Sequence, residues 1–155
     1  MKKGFIWPLL LFVLLTSCGN GLEAAPYQIE DAKALIDQGA FSGALTEVDR
    51  EVVPLIYGLE DTAIKESVCY TAANSSVSAD EVAVFVMEDA AGAEAAAAAC
   101  RQRMEDQVDI YQTYGPDQVP RLEAATILQR DNTVLLAVGE PEKLPEALKE
   151  LGLGE

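Results

Sequence analysis

Three cysteines, 26 carboxylates and no histidine decide which reactions this 155-residue chain can support. Without histidine, no Ser-His-Asp triad, Cys-His pair or histidine-ligated zinc site can be assembled. The cysteines are too few for a closed four-cysteine metal centre. Gly152 and Gly154 lie near the end of the chain with no strand-to-helix context, so no phosphate-cradling loop is expected. The EF-hand pattern is missing as well. The chain is therefore read with no catalytic residue, no metal site and no cofactor.

Carboxylates are the remaining groups in surplus. Glu88 and Asp89 close an apolar run, and Glu105, Asp106 and Asp109 share part of a helical face that could suit a weak calcium site. A glycosidase-style acid pair fits by residue type. Such a pair needs one acid in an apolar pocket, and nothing in the sequence marks one. A solvated acidic face is the simpler reading of both clusters. Arg103, three residues past Cys100 and beside an apolar stripe, either clamps a carboxylate inside the fold or offers a bidentate donor to a ligand. Tyr111 and Tyr114 are expected to pack the end of a long helix on a sheet, with ligand stacking as the alternative. Arg103 and Tyr114 are the candidate ligand or partner contacts.

Cys18 carries a different chemistry. Lys2 and Lys3, the apolar stretch Phe5 to Leu15 and the small pair Thr16-Ser17 precede it, in the order of a secretory leader. That stretch is shorter than the roughly 20 helical residues that a bilayer core requires. A cysteine at the cleavage point is where a bacterial lipoprotein receives its lipid. The expected organisation is a signal peptide over 1–17, a lipidated tether over 18–27 and one domain over 28–155. The membrane, reached through lipid on Cys18, is the first expected partner, and the extracytoplasmic face of the cell membrane the expected location. Gly19, rather than an aspartate, follows the lipid site.

Cleavage before Cys18 removes 17 of 155 residues, leaving 138, and takes both signal lysines with it, so 9 basic face 26 acidic side chains, a net charge of −17. Phosphate backbones require a basic face, so nucleic acid is excluded as a partner. Anionic headgroups repel such a surface, which leaves the holding to the lipid. Cys69 and Cys100 would share a compartment where disulfides persist. They are either bridged or two small buried hydrophobes.

These residues need elements to hold them. Ile29, Ala32, Leu35 and Ile36 recur at helical spacing up to Gly39, and Phe41, Ala44, Leu45 and Val48 continue a helical face weakened by Gly43. A further turn is predicted from Asp49 to Tyr57, starting late because of Pro54 and ending at Gly58. Ile64 to Thr71 reads as a strand and 73–76 as a loop. Val82 to Met87, without a polar break, reads as a strand covered on both faces. Ala90 to Tyr114 is the longest predicted helix, its stripe formed by Ala93, Ala96, Cys100, Met104, Val108 and Tyr111. Gly115-Pro116 ends it. Glu123 to Gln129 and Thr133 to Val138 read as a hairpin around Asp131-Asn132, and Pro141 opens a last helix through Leu151. The expected fold is α+β: a mainly antiparallel four-stranded sheet, in the order helices, β, β, long helix, β, β, helix, with helices packed on it.

Tyr57-Gly58-Leu59, the run Asp80-Glu81-Val82-Ala83-Val84-Phe85, Arg103, Tyr114-Gly115-Pro116 and the hairpin from Ala124 to Val138 together resemble a family of small bacterial lipoproteins, mostly Gram-positive, that carry the domain of unknown function numbered 4358. The likeness runs from about Phe41 onward, in order and with similar spacing. The alanine run over 95–99 and Cys100 stand where larger and charged residues are more usual in that family. The resemblance implies a lipid-anchored extracytoplasmic domain and brings no activity, ligand or catalytic residue.

The expected function is a non-enzymatic module that binds an envelope protein, peptide or other envelope component. The alternative is a carboxylate-dependent hydrolase of cell-wall polymer. A solute-binding subunit of a transporter is disfavoured, because two lobes that close on a solute need more chain than one domain supplies.

Overall fold

Glu81–Met87, whose apolar run predicts a strand covered on both faces, is β3 at the middle of the sheet and is buried along almost its whole length. A computed structural model describes residues 24–154; the signal segment, Cys18 and most of the expected tether lie outside the described residues. Five strands pair antiparallel in the order β1 (Leu45–Glu47), β2 (Ile64–Ala72), β3, β5 (Thr133–Val138), β4 (Thr126–Arg130). Successive residues of a strand point to opposite faces. Val82 and Val84 therefore enter one core and Ala83 and Phe85 the other.

Helices cover both faces. On one side α3 (Ala90–Tyr114) lays Ala93, Ala96, Cys100 and Met104 against Ala83, Phe85, Val134 and Leu136. The short helices α2 (Val53–Tyr57) and α4 (Val119–Glu123) join it there through Val53, Tyr57 and Leu122. On the other side α1 (Ile29–Asp37) and α5 (Leu144–Glu150) pack Ala32, Leu35, Leu144 and Leu148 on Val82, Val84, Leu135 and Ala137. The alanines of α3 have high helix propensity, and their small side chains let the helix lie close to the sheet. Asp89 caps α3 by accepting a hydrogen bond from the Gly92 amide at 2.8 Å. Gly58, in the left-handed region at φ 63°, ends α2 as its position predicts.

The sheet has five strands where the sequence predicts four. The added one, β1, lies where the pattern reads as helix, around Leu45. Its three residues pair with the end of β2, Leu45 opposite Ala72, so a tertiary pairing overrides a weak local preference. Residues 119–123 form α4, which delays the predicted hairpin until Thr126. Asp131 turns it at φ 53°, a conformation that aspartate tolerates. The last helix begins at Leu144 rather than Pro141.

Packing starts at Tyr27, one residue ahead of the expected domain boundary. Tyr27 is buried, its amide donates to Thr133 Oγ1 at 2.9 Å and its hydroxyl to the Leu153 carbonyl at 3.1 Å. The Arg130 guanidinium lies 4.5 Å from the ring centroid, and its Nη2 donates to the carbonyls of Gly152 and Gly154. Among the described residues no helix is long and apolar enough to cross a membrane.

Candidate functional site

The connection between β2 and β3 delivers two acids, Asp80 and Glu81, to the start of the central strand, and an arginine meets each. Arg103, on the sheet-facing side of α3, forms a fork with Glu81: Nε to Oε1 and Nη2 to Oε2, both 2.7 Å. The Tyr57 hydroxyl also donates to Oε1. Side-chain exposure is 16% for Arg103 and 7% for Glu81, so the pair is largely out of water. Arg103 further lies 5.2 Å from the centroid of the Tyr57 ring, which meets Phe85 edge-on at 4.9 Å.

The electrostatics follow from this burial. Burial, and then the Glu81 charge, push the Tyr57 phenol well above its ordinary value, so Tyr57 stays a neutral donor. For Arg103, burial alone pulls downward, but the hydrogen bonds and charge of Glu81 outweigh it and the net shift is upward. Cys69 and Cys100 are free buried thiols, both pushed up to about 12 by burial and then by Glu81. Of the two readings open to these cysteines, the structure takes the small buried hydrophobes. They stay protonated and do not serve as nucleophiles at neutral pH.

Asp80 has a separate set of partners. Its Oδ1 accepts from Arg121 Nη1, and its Oδ2 accepts from the Ser42 amide at 2.7 Å and the Ser42 hydroxyl at 2.6 Å. Arg121 also reaches Ser78 Oγ at 3.2 Å and, through Nη2, Glu140 Oε1 at 3.1 Å. One guanidinium thus ties α4 to the segments before β1, before β3 and after β5.

Above these acids lies an open cleft of about 580 Å³. Thr71, Ser75, Ser76 and Ser78 line one wall from β2 and the loop that follows it. Arg103, Gln107, Ile110, Tyr111 and Tyr114 line the other from α3, and Asp80 and Glu81 complete the lining. Positions four apart on a helix share a face, which places Arg103, Gln107 and Tyr111 in one row and Ile110 and Tyr114 in the next. The Tyr111 hydroxyl donates to the carbonyls of Ser75 at 2.7 Å and Ser78 at 3.3 Å, holding the loop against the helix. Burial, then Glu81, raise its phenol as well.

Both candidate contacts of the sequence reading, Arg103 and Tyr114, therefore line one cleft. Arg103 clamps a carboxylate and still borders open space. Tyr111 packs as expected, but Tyr114 does not: it stands 83% exposed where it lines the cleft. The other flagged acids go to local tasks. Glu88 pairs with Lys65 at 3.2 Å on the surface, Asp89 caps α3, and Glu105, Asp106 and Asp109 are exposed. No group of three or more acidic or cysteine side chains placed to hold a metal occurs among the described residues. Ser42, Ser78 and Arg121 were not singled out in the sequence, and Tyr57, Asp80 and Glu81 entered only through the motifs of the family resemblance. The available signal was a pair of acids at the start of a strand buried on both faces.

A family model described as "Domain of unknown function (DUF4358)" matches residues 37–139, about two thirds of the chain. The match spans β1 to β5 and the cleft, with both arginines and both acids. No curated protein and no solved structure matches the chain.

Proposed function

The chain belongs to the DUF4358 family, and on that premise we propose that it is a bacterial lipoprotein, of the small and mostly Gram-positive kind its sequence resembles. Acyl chains on Cys18 hold it at the extracytoplasmic face of the cell membrane. Its domain acts there as a non-enzymatic binding module that offers the Arg103–Tyr114 cleft to an envelope component. One observation carries the choice of binding over catalysis: both acids that line the cleft are already held by guanidinium and hydroxyl donors. Glu81 accepts three hydrogen bonds and Asp80 three. An ionised carboxylate offers about four lone-pair sites, so little is left with which to bind or deprotonate a nucleophile. A hydrolase of cell-wall polymer would need two carboxyl groups free to exchange protons across one cleft.

Each buried methylene of an acyl chain contributes about 0.8 kcal/mol; one chain holds marginally and two hold stably. Cys18→Ser is expected to leave the protein unprocessed or release it from the membrane, read by fractionation and N-terminal mass spectrometry. A processed, membrane-bound Cys18→Ser protein would refute the lipid anchor. Hydrolysis of purified cell-wall polymer by the full-length protein, lost in Glu81→Gln, would refute the binding reading.

A further inference from the structure

The groups lining the cleft restrict the chemistry of its occupant; this step rests on the cleft being the binding site proposed above. Charge comes first. Arg103 is neutralised by its fork with Glu81, and Asp80 is matched by Arg121, so the cleft presents no net positive charge to an anion. The full chain carries −15, and −17 once cleaved before Cys18, which repels anionic polymers further. Yet Arg103 uses only Nε and Nη2 on Glu81. Its Nη1 makes no hydrogen bond among the described residues and is not enclosed. A nitrogen that can only donate calls for an acceptor, and the pairing with Glu81 makes a neutral one sufficient.

The remaining polar groups are uncharged: the hydroxyls of Thr71, Ser75 and Ser76 and the amide of Gln107. The apolar part of the site is at its rim, where Tyr114 is 83% exposed one helical turn from Ile110, 50% exposed. A large aromatic ring left in water beside a neutral polar wall suits a flat ligand with an apolar face and hydroxyls at its edge. An extended peptide would dock most simply by adding a strand. At the cleft, however, the edge of β2 is already taken by β1, with Thr46 opposite Thr71 and Leu45 opposite Ala72.

We propose that the cleft binds a neutral glycan bearing N-acetyl groups. A sugar ring lies against Tyr114, hydroxyls exchange hydrogen bonds with the serines and Gln107, and an acetamido carbonyl accepts from Arg103 Nη1. Binding is non-covalent and changes no bond in the glycan.

The test is calorimetric titration of the mature acylated protein, in a non-glycosidic detergent at about 150 mM salt, where surface electrostatics are screened beyond ~8 Å. The probes are a tetramer of N-acetylglucosamine, the glucose and glucosamine tetramers, and a neutral pentapeptide. The acetylated tetramer is expected to bind, and Tyr114→Ala to weaken it about five- to tenfold. Gln107→Ala is expected to weaken it also, with the melting temperature of both variants unchanged. Equal affinity for the glucose tetramer overturns the acetamido assignment, and tighter binding of the cationic glucosamine tetramer overturns the neutral one. Binding of the peptide alone, weakened by Tyr114→Ala, overturns the glycan while leaving the binding module standing. Silence of all four probes overturns the glycan, whereas the anchor is decided separately by Cys18→Ser.

Discussion

Replacing Arg103 by methionine removes the guanidinium and keeps much of the apolar stem, leaving Glu81 inside the fold with one remaining donor, Tyr57. Breaking a buried ion pair by deleting one partner costs about 3–5 kcal/mol, whereas an exposed pair is worth roughly 0–1 kcal/mol. The pair sits close to the buried limit and its fork has two 2.7 Å bonds. Because the Tyr57 hydrogen bond survives, the lower end applies, and about 3 kcal/mol is expected. For a domain of this size that lowers the melting temperature by about 10–15 °C. The assay is urea unfolding of the chain from Ala24, followed by circular dichroism, for the single variants Arg103→Met and Glu81→Gln and for their combination. Much of the loss in Arg103→Met is the uncompensated carboxylate, so adding Glu81→Gln should recover stability rather than lose more. A loss below about 1 kcal/mol in Arg103→Met, or simple addition of the two single effects, would refute the buried pair as described.

Two further outcomes concern the core. Both thiols are raised from 9.0 to about 12, so above pH 9 they ionise in the unfolded chain before the folded one. The unfolded state then binds fewer protons, and stability falls as pH rises from 9 towards 12, by roughly 1 kcal/mol per thiol at pH 10. Tyr57 acts in the same direction at higher pH. Urea midpoints at pH 8 and 10 should converge in a Cys69→Ala/Cys100→Ala variant, and an unaltered pH dependence would count against the burial of these thiols. A Cβ on Gly139 would stand 2.6 Å from the Ala40 carbonyl oxygen, itself the acceptor of the Glu140 amide. Gly139→Ala is expected to lower stability by about 1–3 kcal/mol, and an unchanged denaturation midpoint would contradict that close approach.

Much of the architecture was legible because its cues are local. The stripe from Ala93 to Tyr111 and the stop at Gly115-Pro116 delimit α3, Ala90–Tyr114, as the periodicity predicts. The apolar run at Val82 is a strand covered on both faces, and Asp131-Asn132 turns a hairpin. The family match bears out the domain of unknown function that the ordered short motifs suggested. Leu45 failed to follow its pattern because a three-residue strand owes its existence to the neighbour it pairs with. Arg103 stood out by its place near an apolar stripe, but its partner did not, since 26 acids compete for the role on composition alone.

Residue types by themselves determined that no histidine chemistry is available and that the longest helix and the central strand form where their patterns predict. Those properties depend on neighbours within a few positions. The tertiary structure decided which acid meets which arginine: Glu81 and Arg103 are 22 positions apart, and Asp80 and Arg121 are 41 apart. It also decided that Tyr111 turns inward while Tyr114 stays in water. Such pairings depend on strand register, on the long helix that carries the chain from β3 to β4, and on β5 returning between those strands. No local pattern encodes that return, because its free energy is realised only when both faces of the sheet are covered at once.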